Sequence, residues 1–279
     1  MAHFERKEIM VVIYAEKSSL AKEIANTLHA GKRIPLSGEP TVGHYEFEFN
    51  GEKAVICHGV GHLAQLIPAK LYDEKYSKWD LDVFPCIPDG FRVAAKDSTV
   101  KCLQLVKSFF DKADWIINAT DADREGELIF SYVCEVCKCS KPYKRVWIED
   151  LTDQKIKYAF DNLKNPDEQL SVTEKGTAYD LQMAGRARDI SDWLFGTNLT
   201  VAATKKFGGY DEIMTVGRVQ TPVLNLVVER EKAIKNHVKT PYWKLTAEFS
   251  SDLEKFEAEY EKGNFKDECE ADTVLSECD

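Results

Sequence analysis

The sequence predicts an open, mainly parallel α/β sheet with flanking helices, then a helical region, then the first strands of a β-rich region. Three observations predict it. Short runs rich in Val and Ile alternate with amphipathic helical patterns as far as residue 150. From there to about residue 240 the apolar spacing is helical. From Tyr242 onward it alternates with the period of strands. Three parts are therefore expected, 1–150, 151–240 and 241–279.

"EIMVVIYA" (Glu8–Ala15) is too short for a helix and reads as a buried strand. "SSLAKEIANTLHAGK" follows as a helix, with Ser18 or Ser19 as cap, Leu20, Ile24 and Leu28 on one face, and Gly31 as the stop. "HYEFEFNGEKAVICH" is two alternating runs joined by Asn50-Gly51, a hairpin. A helix over Val100–Lys112 leads into the strand "DWIINAT" and the helical "GELIFSYVCEVC"; "YKRVWIED" is a further strand. In the second part, "TDQKIKYAFDNLKN" has Thr152 as cap and ends near Asn165-Pro166, and a long helix spans about Thr173–Phe195. "PVLNLVVEREKAIK" opens with Pro222 at its first helical position. "WKLTAEF" and "FEAEYE" are the strands of the third part.

A chain of 279 residues can bury a substantial core. No run of about 18 apolar residues occurs, and the N-terminus lacks the apolar stretch of a secretory signal, so a cytoplasmic location without a membrane partner is expected. Eight cysteines, mostly scattered, suit a reducing compartment. "CEVCKC" (Cys134, Cys137, Cys139) hints at zinc but has no paired motif to complete four ligands, so thiols at a helix end are the expectation. Net charge is −10, but residues 251–279 hold eleven acids against three lysines. The remaining body is nearly neutral and can carry a basic groove for nucleic acid.

One stretch calls for chemistry. "NATDADREGELI" (Asn118–Ile129) sets Asp121, Asp123, Glu125 and Glu127 directly beyond a predicted strand, and Glu16 ends another. Open α/β sheets place their ligands at the carboxyl ends of strands. Carboxylates two apart on an extended turn can converge on one point, and Mg²⁺ would offset their repulsion. The plainer alternative is an acidic, solvated helix start, which accounts for one or two acids but poorly for Asp-x-Asp-x-Glu with a second strand ending in Ala-Glu-Lys. Mg²⁺ beside a separate carboxylate is equipment for phosphoryl transfer.

"AEKSSLAKEIA" together with "ATDADREGELI" resembles the Toprim domain of type IA topoisomerases, primases and some nucleases. "HGVGHL", "LYDEKYSKWDL", "RVWIEDLT", "GRARDISDWLFGTNLT" and "TVGRVQTPVLNLVVERE" resemble, in order, successive blocks of the bacterial topoisomerase III family over residues 9–235. The resemblance implies a Toprim domain over 1–150, a helical domain binding single-stranded DNA over 151–240, and the start of a β-rich arch over 241–279. It further implies a bacterial, DNA-associated monomer that cleaves one DNA strand with Mg²⁺, passes the other through and reseals the break.

By the same resemblance Glu16 is a metal ligand and passes a proton to the leaving 3′ oxygen, and Lys17 lies beside the scissile phosphate. Asp121, Asp123 and Glu125 complete the Mg²⁺ ligands. Arg188 and Asp192, one helical turn apart, line the single-strand groove, and Thr215, Val216, Gly217, Arg218, Val219 and Gln220 form a DNA-binding segment with Arg218 on phosphate. Trp79 and Trp193 sit where indoles could stack on bases, although a tryptophan in such a context also serves as core. His58 and His62 have the spacing of a metal pair but lack the helix and glutamate of a zinc hydrolase, so a glycine-bearing loop is expected. Three departures from the family stand out: Ser18 replaces a proline, Val201 an arginine, and no tyrosine has the setting of the family's nucleophile. That suggests an N-terminal piece of a longer enzyme. A stand-alone Toprim nuclease or primase-like protein and a non-catalytic single-stranded-DNA-binding module are the alternatives.

Overall fold

The most apolar run of the sequence is the centre of the sheet. In the computed structural model, which describes residues 9–170, 176–208, 212–250 and 254–278, β1 (Met10–Ala15) is buried from Val11 to Ala15. A strand covered on both faces needs no alternation, hence the unbroken run. α1 (Ser18–Thr27) follows with Leu20, Ala21, Ile24 and Ala25 inward; Lys17 holds the cap position, so neither Ser18 nor Ser19 is the expected cap. β2 (Ile34–Leu36), β3 (Glu39–Phe49) and β4 (Glu52–His58) form an antiparallel ladder, turned at Asn50 (φ 53°) and Gly51 (φ 79°) as a two-residue hairpin requires. β5 (Ala64–Leu66) and β6 (Val93–Ala95) pair separately. α2 (Val100–Lys112), β7 (Trp115–Ala119), α3 (Arg124–Cys137), β8 (Tyr143–Arg145) and α4 (Asp153–Asp161) come next. α5 (Ala178–Phe207), α6 (Gln220–Lys235), β9 (Thr246–Ser250), β10 (Lys255–Glu259) and α7 (Glu268–Glu277) complete the order.

The six-stranded sheet runs β2-β3-β4-β1-β7-β8. β1 is parallel to both β4 and β7, and β7 to β8, so the expected mainly parallel sheet carries an antiparallel edge. Alternate residues of β1 divide between two cores. Val11, Ile13 and Ala15 face α1 and α4, with Ile24, Ile156 and Phe160. Val12 and Tyr14 face α2 and α3, with Val106, Phe110, Phe130 and Val133. A third cluster joins Leu128 and Tyr132 of α3 to Ala64, Leu66 and the half-buried Trp193 of α5.

Several elements differ from expectation for identifiable reasons. β8 ends at Arg145 because it is the edge strand, and the chain then turns away with Val146 and Ile148 in the core. α4 stops at Asp161, short of Asn165, and α5 runs on to Phe207, twelve residues past the expected end. The expected start of that helix, Thr173, lies outside the described residues; Thr177 caps α5 through a reciprocal bond with Asp180. Pro222 occupies the third position of α6, still inside the first turn where its missing N–H is harmless. α7, in the acidic tail, was not expected as a helix at all.

The chain divides into two compact units, Met1–Arg218 and Val219–Asp279. Neither expected boundary, near 150 or near 240, coincides with this division. Within the first unit α5 is tied to α3 by Tyr132 Oη donating to Asp189 (2.8 Å) and Arg186 Nη1 to Glu135 (2.8 Å). The second unit holds α6, the β9–β10 hairpin with Phe249 stacked on Phe256, and α7.

Candidate functional site

Parallel neighbours bring their carboxyl ends side by side. Ala15 of β1 is in register with Ala119 of β7, so Glu16 and Asp121 emerge together. The Asp121 N–H donates to Glu16 Oε2 at 3.3 Å. Backbone N–H groups of Gly59 and Gly61 donate to the Ala15 and Glu16 carbonyls (2.9 and 3.1 Å) and fix the strand end from the β4 side. Half-burial raises the Glu16 carboxyl above the usual carboxylate range, and the neighbouring Asp121 and Asp123 carboxylates raise it further. Lys17 Nζ donates to Asp121 Oδ2 at 2.7 Å.

The four acids do not all close on one point. Asp123 caps α3, accepting the Gly126 N–H at 2.7 Å. Glu125 faces His62 Nε2 (3.0 Å) and Arg188 Nη1 (4.0 Å). Among the described residues no three His, Cys, Asp or Glu side chains are gathered as a metal site requires. The donor set still suits a hard cation: the ligands are carboxylate oxygens, their repulsion shows in the raised Glu16 carboxyl, and the Lys17 ammonium occupies the compensating position. The cysteine cluster and the His58–His62 pair likewise belong to no such group among the described residues. His58 is buried at the end of β4 with Nδ1 against the Gly59 carbonyl (2.8 Å), and burial holds its imidazole below the usual value.

The residues that hold the acidic loop were only partly legible in the sequence. Arg145, fully buried, donates through Nη1 to the carbonyls of Asn118 (3.1 Å), Thr120 (2.8 Å) and Val146 (2.7 Å), and through Nη2 to that of Asp121 (2.6 Å). Its Nε pairs with Glu127, which also accepts from Asn118 Nδ2 at 3.1 Å. Burial pushes the Glu127 carboxyl up and the Arg145 guanidinium opposes it. Glu127, the fourth acid of the run, thus anchors the loop rather than facing solvent. The available signal was an arginine at an inward position of an apolar strand. Gly126 permits the closeness: a Cβ there would sit 2.2 Å from the Asp121 carbonyl.

A line of charge leads from this loop along α5. Beyond Glu125 and Arg188, Arg188 Nε lies 3.8 Å from Asp192, and Arg218 grips Asp192 in a fork of 2.6 and 3.3 Å. That fork holds the Asp192 carboxyl below its usual range. Arg218 comes back to α5 because the segment before it runs alongside: the Val216 N–H donates to Thr200 Oγ1 (3.0 Å) and the Met214 N–H to Thr204 Oγ1 (2.9 Å). Thr215 is exposed, Gly217 partly buried, and Val219 and Gln220 open the second unit as exposed residues. Trp79 and Trp193 both line a cavity of about 470 Å³ beside α5, with Lys70, Tyr76 and the buried Val201. Trp193 is also structural: its Nε1–H donates to the Ile67 carbonyl (2.9 Å), and Tyr72 and Phe91 pack edge-on to it.

Residues 11–151 match the family model of the Toprim domain, and residues 177–279 that of DNA topoisomerase. DNA topoisomerase 3 of Bacillus thuringiensis (strain Al Hakam) is 36% identical over 245 residues, covering 87% of this chain. DNA topoisomerase 3 of Vibrio cholerae is 34% identical over 239 residues, covering 84%. The chain spans 30% and 34% of the length of these two relatives. Among solved structures, full-length topoisomerase I from Thermotoga maritima superposes with a TM-score of 0.53 at 22% identity, covering 94% of this chain and 37% of that one, a likeness of fold.

Proposed function

The chain belongs to the bacterial DNA topoisomerases that carry a Toprim domain, and from that premise we propose that it supplies the Mg²⁺-binding and single-strand-gripping part of a type IA, topoisomerase III-like reaction. The supporting observation is the meeting of Glu16 with the Asp121 loop at two neighbouring strand ends, with a line of arginines leading away along α5.

Glu16, Asp121 and Asp123 would hold Mg²⁺, with Glu125 beside them, once Lys17 releases Asp121 toward phosphate. The ion supplies charge neutralisation at the carboxylates and at a DNA phosphate. The raised Glu16 carboxyl keeps a proton to higher pH than an ordinary glutamate, which suits delivery to a leaving 3′ oxygen. Lys17 stands next to Asp121 and can turn its ammonium to the same phosphate. Arg188 and Arg218 share Asp192, which holds both guanidinium groups along one helix edge for a DNA backbone. The indole of Trp79 faces a cavity of a size to receive a base. Single-stranded DNA as partner, a monomeric state and a cytoplasmic location belong to the same proposal.

The groove assignment is tested by fluorescence anisotropy with a single-stranded oligonucleotide across a salt series. Arg218→Ala is expected to weaken binding by about 1–3 kcal/mol and flatten the salt slope by about one. Unchanged affinity and slope would remove Arg218 from the interface.

A further inference from the structure

At the opposite end of α3 from Asp123, three cysteines share one helix terminus. Cys134 and Cys137 lie in the last turn, and Cys139 follows Lys138, whose left-handed backbone (φ 55°, ψ 40°) closes the helix. The Cys139 N–H donates back to the Cys134 carbonyl at 2.9 Å. Such a closure brings the side chains on either side of the left-handed residue together. The same bond keeps the two Cα atoms within about 6.8 Å, inside the span of a disulfide. Both side chains are half-buried against the same apolar cluster. Cys137 is 2% exposed inside that cluster.

We propose that Cys134 and Cys139 form a peroxide-reactive dithiol, a modification site with Cys139 as attacking and Cys134 as resolving thiol. The neighbouring Cys134 thiol, helped by the Lys141 N–H and charge, pulls Cys139 down to about 6 against its half-burial, and the lowered value favours the thiolate. The neighbouring Cys139 and then burial push Cys134 up, and burial pushes Cys137 up. From α2, Lys107 and Asp111 face this end paired to each other at 2.8 Å, with Lys107 also reaching the Cys137 carbonyl.

The Cys139 thiolate attacks an oxygen of hydrogen peroxide, the O–O bond breaks, and a sulfenic acid forms as hydroxide leaves and takes up a proton from solvent. The Cys134 sulfur then attacks the Cys139 sulfur, the S–O bond breaks, and water departs with the Cys134 proton. Two thiols are oxidised to one disulfide and one peroxide is reduced to two waters.

The test uses the full chain with the exposed Cys269 and Cys278 changed to Ser, reduced and then treated with equimolar hydrogen peroxide. Intact mass should fall by two hydrogens, peptide mapping should place the bridge between Cys134 and Cys139, and dithiothreitol should reverse it. In that background Cys134→Ser should stop at a dimedone-reactive sulfenic acid on Cys139. Cys139→Ser should slow oxidation at least about tenfold. Free alkylation of all three thiols after peroxide, or a bridge through Cys137, would overturn the proposal.

Discussion

Arg145 shows how much one side chain can decide here. Its guanidinium answers four carbonyls and a carboxylate, and no other residue type offers that fork. Arg145→Met would leave Glu127 buried without its partner, and a loss of about 3–5 kcal/mol in chemical denaturation is expected. Adding Glu127→Gln should recover part of that stability while the acidic loop stays untied, which Mg²⁺ titration of the double variant would show as lost affinity. Glu16 makes a prediction with a definite sign. Below about pH 4, where folded and unfolded chains both hold its proton, Glu16 contributes nothing to the pH dependence. As pH rises from there through its raised folded value, the unfolded chain ionises first and the folded state loses stability. Metal-free thermal melts of Glu16→Gln should therefore match the parent at pH 3 and exceed it at pH 7; an equal offset at both pH values would contradict the electrostatic origin.

At the scale of elements, the sequence was most readable where one physical requirement dominates. β1 was plain because both its faces are buried, and the Asn50-Gly51 hairpin because few residues take two left-handed positions. Asp121 was recognisable as a strand-end acid, but that Asp123 would be used as a helix cap and Glu125 turned to His62 depends on how α3 meets its neighbours. α5 was underestimated because it is only thinly buried beyond Phe195, where Val201 alone is fully covered, so no apolar stripe marks its course. α7 was missed for the same reason: Ala271 is its one buried residue, while Asp267 caps it and Glu268 and Glu270 favour its N-terminus. Two variants test these elements. Asp123→Asn keeps a capping oxygen and should leave the melting temperature nearly unchanged, whereas Asp123→Ala should lose about 1 kcal/mol. Gly185→Ala would put a Cβ 2.6 Å from the Arg124 carbonyl where α5 crosses α3, and a cost of about 1–3 kcal/mol is expected by denaturation.

Across the whole molecule, a net charge of −10 coexists with a path of arginines because the acids concentrate in the final residues. Within the first unit, charged side chains pair in two groups: Lys17 with Asp121 at the strand ends, and His62, Glu125, Arg188, Asp192 and Arg218 in succession beside α5. In the proposed reading a divalent cation at the strand ends and a phosphate chain along α5 would use these two groups. In the proposed function the strand-end carboxylates hold Mg²⁺ and the surface that grips DNA is separate from them. Calorimetric titration of Mg²⁺ into the parent and into Asp121→Asn/Asp123→Asn, with single-stranded DNA affinity measured on both without metal, tests it most directly. Mg²⁺ binding that disappears in the variant while metal-free DNA affinity is kept is the predicted result; equal Mg²⁺ affinity in the two proteins would contradict the account.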